Sequence, residues 1–191
     1  MIKKIIFGSV LFTAISAPSF ASSINTHLEQ ATQSVSEKVI TWRRHLHQYP
    51  ELSNREFETA KYITEHLKSL GLEVQTGVAH TGVVAKLSGG KKGPLIALRA
   101  DMDALPVTEQ VDLPFASKQT STYRGNEVGV MHACGHDTHV AILMAVAESL
   151  VKIKEQLAGE VLFVFQPAEE GAPEGEEGGA ELMLKEGLFK Q

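Results

Sequence analysis

VLFVF, residues 161–165, is an unbroken apolar run that ends just before Gln166-Pro167. A strand with one wet face would alternate apolar and polar residues. A continuous apolar run of this length is the pattern of a strand covered on both faces, as in a parallel sheet. Working outward, Val140 to Leu150 reads as a strongly apolar helix extending to about Ile153, and Leu95 to Arg99 as a second apolar strand. Leu72 to Gln75 and Gly82 to Leu87 look like further strands, and GGKKGP at 89–94 like a turn. Asn54 to Leu70 has helical spacing with Gly71 at its C′ position. Ile24 to His47 reads as one long helical stretch that stops before Pro50, and Ala180 to Glu186 opens a last helix. Residues 107–128 are polar and irregular. Alternating helix and strand predicts an α/β fold, a mostly parallel sheet with helices on both faces.

The first residues read differently. Met1 to Lys4 carry two lysines, Ile5 to Ala17 are largely apolar, and Ser19-Phe20-Ala21 place small residues where a signal peptidase reads. That is the pattern of a secretory signal peptide over residues 1–21, and the run is shorter than the roughly 20 apolar residues of a membrane span. The expectation is an exported, periplasmic or secreted chain whose folded part is 22–191, with no membrane contact after cleavage. That length suits one core, since domains commonly run about 100–150 residues. The 43% hydrophobic and 21% charged residues are ordinary for a globular protein, and a net charge of −5 argues against a nucleic-acid surface.

The chemistry gathers in three clusters, each just after a strand or before a helix, where ligands collect in α/β sheets. MHACGHDTH, 131–139, holds the only cysteine, Cys134, among His132, His136 and His139, with Asp137 between the last two. Cys134 and His136 lie close enough in a turn to touch one metal ion, and thiolate with imidazole suits zinc and its first-row neighbours. An adjacent carboxylate such as Asp137 is what a ligating imidazole usually hydrogen-bonds. The competing reading is a buried, inert cysteine. A redox role is disfavoured because the chain has no second cysteine to resolve a disulfide. Asp101 and Asp103 fall on one side of an extended segment; either could ligate, or one could ligate while the other orients a histidine. Glu169-Glu170 opens an acidic glycine-rich loop after Pro167. Adjacent side chains point differently, so one glutamate can bind metal while the other takes a proton from metal-bound water.

RRHLHQYPELSNREFET, LRADMDALPV, MHACGHDTHVA and FQPAEEG, in this order and spacing from about Thr41 onward, resemble the aminoacylase and carboxypeptidase family of co-catalytic metallopeptidases. The branch resembled is the amidohydrolases that include hippurate hydrolase and the auxin-conjugate hydrolases. The resemblance implies a zinc-exopeptidase-like catalytic domain, with Cys134, His136 and Glu170 as metal ligands and Glu169 as general base. Asp103 would match the residue that supports the metal site, whereas Asp101 falls where related branches carry a metal-binding histidine. Read from position alone, Asp101, Asp137 and His139, the last on the helix after the ligand loop, are candidates to stand behind the ligands. The resemblance implies divalent metals, two per complete site, with zinc, manganese, cobalt or nickel all open. The substrate it implies is an N-acyl amino acid or small peptide, cleaved at the amide bond. His45 and His47 read only as polar residues closing a helix.

Family members run to roughly twice this length. The resemblance therefore implies that the chain corresponds to the N-terminal half of the family's catalytic domain, incomplete at its C-terminus, either as a fragment of a longer enzyme or as the product of a truncated gene. The lid or dimerisation domain, through which a full-length homodimer would form, has no counterpart here. Two readings follow: an active metallo-amidohydrolase, or a truncated remnant that at most binds metal.

Overall fold

A computed structural model describes residues 20–190. The signal-peptide reading falls on residues that, but for Phe20 and Ala21, lie outside that range. In chain order the elements are α1 (Phe20–Gln33), α2 (Ser36–Gln48), α3 (Phe57–Ser69), β1 (Glu73–Val78), β2 (Gly82–Ser88), β3 (Lys91–Asp101), β4 (Thr120–Tyr123), β5 (Asn126–Gly129), α4 (His136–Lys152), β6 (Ala158–Gln166) and α5 (Gly179–Lys185).

The apolar run 161–165 lies inside β6, which is hydrogen-bonded on both sides within the sheet order β1-β2-β6-β3. Both of its faces are covered. Phe163 and Phe165 pack with Val83, Ala85 and Leu87 of β2 against Leu46, Ile63, Leu67, Val140 and Met144 from α2, α3 and α4. Leu162 and Val164 turn the other way, onto Met183 of α5 and Val78. Helices therefore sit on both faces, and the α/β class holds.

The sheet itself is mixed rather than mostly parallel. β3 runs parallel to β6, but β2 is antiparallel to both β6 and β1. An apolar run shows that a strand is sandwiched but not which way its neighbours run, and the short β1–β2 connection at Ala79–Thr81 imposes an antiparallel pair. β3 is one of the two edge strands, with β1 at the other edge, and its Leu95 and Ile96 are exposed.

Other expectations change as well. The helical stretch 24–47 is two helices, because Ser34 and Val35 leave the helix: the Ser34 hydroxyl donates to the Ala31 carbonyl at 2.6 Å, and Val35 drops into the interior. The polar stretch 107–128 contains the β4–β5 hairpin, whose loop Arg124-Gly125 has positive φ at both residues (51° and 78°), as a two-residue type I′ turn requires. β3 begins at Lys91, inside the expected turn, and α4 begins at His136, which puts His136, Asp137 and His139 on its first turn.

Because β3 and β6 are parallel, their carboxyl ends meet. Asp101 is paired with Gln166, and the Met102 N–H donates to the Gln166 carbonyl at 3.0 Å. The aspartate segment and the glutamate loop leave the sheet side by side.

Candidate metal centre

Gly135 sets the geometry of the first cluster. Its φ of 99° is left-handed, a conformation that glycine adopts without steric cost. The turn it makes leaves Cys134 exposed at the surface while His136 is buried on α4. Ligand atoms of Cys134, His136 and Glu170 all lie within 4.8 Å of one another. A second set, Asp101, His136 and His139, meets the same criterion and shares His136. The His136 and His139 rings are 5.5 Å apart between centroids.

The tautomer of His136 follows from its neighbours. Nδ1–H donates to the Asp103 main-chain carbonyl at 2.8 Å, and the Asp103 carboxylate lies farther off, Oδ1 at 3.5 Å. The main-chain bond fixes the ring, and the carboxylate adds charge attraction. Nε2 is left facing Glu169 Oε2 at 3.7 Å and Glu170 Oε1 at 3.9 Å. Without a cation, Asp103 outweighs burial and pushes the His136 pKa up to about 9. The neighbouring Glu170 carboxylate raises the Cys134 thiol above its ordinary value. Both effects come from negative charge crowded around one point, and a bound cation inverts that logic.

The donor set fits a divalent metal: thiolate, imidazole and carboxylate are zinc-type ligands, and they converge on one volume here. Asp101 adds a buried Oδ1 with no hydrogen-bond partner, while Arg99 reaches its Oδ2 at 3.3 Å. Metal uptake must displace protons from His136 and Cys134. We therefore expect metal affinity to rise with pH below about 9, by at least about one decade per pH unit. Isothermal titration at several pH values, in buffers of different ionisation enthalpy, would measure the protons released. A pH-independent affinity would show that His136 is not a ligand.

Asp103 carries the site. It is 1% exposed. Its Oδ1 accepts the Glu169 N–H and its Oδ2 the Glu170 N–H, each at 3.0 Å, while the Ser53 hydroxyl donates to Oδ2 at 2.7 Å. Burial alone would raise this carboxyl. His136, the Glu170 N–H, Ser53 and the Glu169 N–H overcome it and hold the pKa below the usual value.

Asp137 does not orient His136. Its Oδ2 accepts from His47 Nδ1 and Arg43 Nε, both at 2.8 Å, and its Oδ1 accepts the Thr138 N–H. His47 is not a solvated helix end but a buried ring with Glu109 Oε2 at 2.9 Å on its other nitrogen. The network anchors the start of α4 to α2. His132 is buried, neither ring nitrogen has a partner, and burial lowers its pKa to about 4.

The site also rests on residues that the sequence reading left out. The α2–α3 connector braces the glutamate loop from below: Ser53 bonds Asp103, Asn54 Nδ2 reaches Glu176 and the Glu177 carbonyl, and Glu56 bonds the Ala168 N–H. The available signal was SNRE, a polar run at the expected start of the second helix, within RRHLHQYPELSNREFET; α3 instead begins at Phe57, which leaves that run in the connector. Beside Glu170 opens a cleft of ≈ 450 Å³, walled by Leu52, Leu105, Pro106, Tyr123, Arg124 and Pro173. Another cleft, at His45, Tyr49 and Tyr62, is lined by none of Asp101, Cys134, His136, His139 or Glu170.

The chain is similar to several known proteins. The sequence profile of peptidase family M20/M25/M40 matches residues 97–191. Thermostable carboxypeptidase 1 of Saccharolobus solfataricus is 48% identical over 163 residues, covering 85% of this chain and 39% of that protein. The N-acyl-L-amino acid amidohydrolase of Geobacillus stearothermophilus is 42% identical over 162 residues, 85% of this chain and 40% of its own length. Among solved structures, a dinuclear metal-binding M20-family peptidase from Bacillus subtilis superposes with a TM-score of 0.71 at 43% identity, over 82% of this chain and 40% of that one. The chain thus spans about two fifths of the length of the relatives it matches.

Proposed function

Because this chain belongs to peptidase family M20/M25/M40, we propose that it contributes to metal-dependent hydrolysis of the amide bond in N-acyl amino acids or small peptides. The observation that carries this reading is the convergence of Cys134, His136 and Glu170 within 4.8 Å, with a second glutamate next in the chain. The names of the matched carboxypeptidase and amidohydrolase support the substrate class.

Cys134, His136 and Glu170 would hold a divalent metal, with Asp101 and His139 beside it for a second. Such a metal lowers the pKa of a bound water toward about 7 and polarises a carbonyl oxygen. The rest is done by the chain. His136 presents Nε2 because Nδ1 is committed to the Asp103 carbonyl. Glu169 accepts a proton from the attacking water and delivers it to the departing amine. Asp103 holds both glutamates by their own N–H groups, so neither side chain is spent on its own placement. The cleft beside Glu170 offers apolar walls for an acyl group and Arg124 for an anionic end.

The N-terminal sequence supports export to a periplasmic or external compartment. Among the described residues no helix is long and apolar enough to cross a membrane.

The test is metal content and hydrolysis of hippurate and other N-acyl amino acids by the protein expressed from its own gene. Bound metal with chelator-sensitive turnover is expected. Metal without turnover would leave the alternative of a metal-binding chain that does not catalyse. Cys134→Ser removes a direct ligand and should weaken metal binding by at least about 10–100-fold, the cost of losing only a partner behind a ligand, and unchanged affinity would remove Cys134 from the ligand set. If turnover survived chelation but not alkylation of Cys134, the thiol rather than a metal would carry the activity.

A further inference from the structure

Glu56 is 0% exposed, yet its position in the fold gives it no local task. It stands at the N-cap of α3 but makes no capping bond with its side chain. Glu51 does that work instead, accepting the N–H groups of Glu58 and Thr59 at 3.2 and 2.8 Å. The Glu56 carboxyl goes elsewhere: Oε1 accepts the Ala168 N–H at 2.9 Å, and Oε2 accepts the Thr81 hydroxyl at 2.6 Å.

Ala168 is the residue before the glutamate pair, and its φ of 49° is left-handed. A non-glycine residue holds that conformation only where its surroundings over-determine it. Here they do. Behind it lie Gly178 and Gly179, where an added Cβ would come within 3.1 Å of the Ala168 Cβ and 2.9 Å of its carbonyl oxygen. In front, three successive N–H groups point at carboxylates: Ala168 at Glu56, then Glu169 and Glu170 at Asp103. Successive backbone N–H groups in such a turn form an anion-binding nest, and in this fold its anions are the protein's own side chains.

We propose that Glu56 is a positioning residue for Glu169 and Glu170, fixing the left-handed Ala168 from below as Asp103 fixes the two residues after it. The carboxyl acts at a distance through the backbone and touches neither substrate nor metal. In its kinetic readout the proposal rests on the amide-hydrolase reading, while its metal-binding and exchange readouts do not.

The experiment compares Glu56→Gln, Glu56→Ala and, as a control on the same helix, the buried core substitution Ile63→Val, all in the protein expressed from its own gene. The probe is Co²⁺, followed by the thiolate-to-cobalt absorption that Cys134 would supply. Glu56→Gln keeps an acceptor for the Ala168 N–H and a group to pair with Thr81, so it should bind Co²⁺ within a few-fold of wild type. Glu56→Ala should bind it about 10–100-fold more weakly, the range for lost support of a metal ligand, and the Ala168 amide should lose its hydrogen-exchange protection. Where wild type hydrolyses an N-acyl amino acid, kcat should fall in Glu56→Ala with KM little changed. Ile63→Val should lower Tm and move none of these.

A Glu56→Ala protein that loses Tm but keeps wild-type Co²⁺ affinity and Ala168 protection would overturn the proposal and make Glu56 a plain structural residue. If Glu56→Ala does not fold, Thr81→Val, which removes the hydroxyl anchoring the carboxyl, carries the same comparison with smaller losses. Wild type that binds Co²⁺ but hydrolyses nothing would overturn the proposed function while the Co²⁺ comparison still decides Glu56. Wild type that takes up no Co²⁺ would overturn the proposed function, and the Ala168 exchange comparison, which needs no metal, would then decide Glu56.

Discussion

Glu169→Gln should lower kcat by roughly 10²–10⁴, the usual worth of a positioned general base, and leave metal stoichiometry where it was. The argument rests on what separates the two adjacent glutamates. Glu170 shares the Cys134–His136 ligand set, whereas Glu169 does not. Glu169 nevertheless reaches within 3.7 Å of the same His136 nitrogen, so it faces the point where a metal would sit from outside the ligand set. Its side chain is 39% exposed, against 23% for Glu170, which leaves it open to a substrate water. Glutamine keeps the shape and the backbone N–H held by Asp103, and removes only the ability to take a proton. Metal analysis beside steady-state kinetics would separate the outcomes. Metal loss would make Glu169 a ligand and reverse the pair, and an unchanged kcat would put the base elsewhere.

That the two glutamates come close to Cys134 and His136 was legible in the sequence, and so was the strand that delivers them. An unbroken VLFVF reports burial on both faces, and the structure covers both. The three polar clusters also converge as expected, because β3 and β6 run parallel and end together. What the sequence hid has a common cause. Strand direction in β1 and β2, the break at Ser34–Val35 and the β4–β5 hairpin depend on partners or on single backbone turns that hydrophobic periodicity does not register. The hairpin did carry a signal in Gly125 with alternating Thr, Tyr and Val, masked by its polar residues.

Within the site, the error about Asp137 is instructive. Sequence adjacency suggested that it serves His136, but neighbours on a helix project in different directions, and its carboxylate goes to His47 and Arg43. The main-chain oxygen of Asp103 orients His136 instead. Ser53 and Glu56 act across 50 and 112 residues of sequence, a separation that no local pattern records.

Asp103→Ala should be the most damaging change to folding, costing about 3–5 kcal/mol, the scale for breaking a buried charged network by removing one partner. Three donors lose their acceptor at once: the Glu169 and Glu170 N–H groups and the Ser53 hydroxyl. Asp103→Asn is the sharper probe. An amide has one acceptor oxygen, so in either flip its NH₂ faces a backbone N–H that previously had a partner, at a cost of about 1–3 kcal/mol. Ser53 can rotate to accept, but the N–H of Glu169 or Glu170 cannot, so the turn carrying both glutamates must shift. Metal binding then feels two opposing effects. A displaced Glu170 weakens it, on the order of 10–100-fold. Loss of the carboxylate also removes what holds the His136 pKa near 9, so less proton competition opposes uptake at low pH. The relief fades as pH approaches that value, while the displacement does not. The affinity gap between wild type and Asp103→Asn should therefore widen from about pH 6 to about pH 9, with the variant also less stable by denaturant titration. A gap that stays constant with pH would mean that Asp103 works only as a scaffold for the turn and does not set the charge on His136.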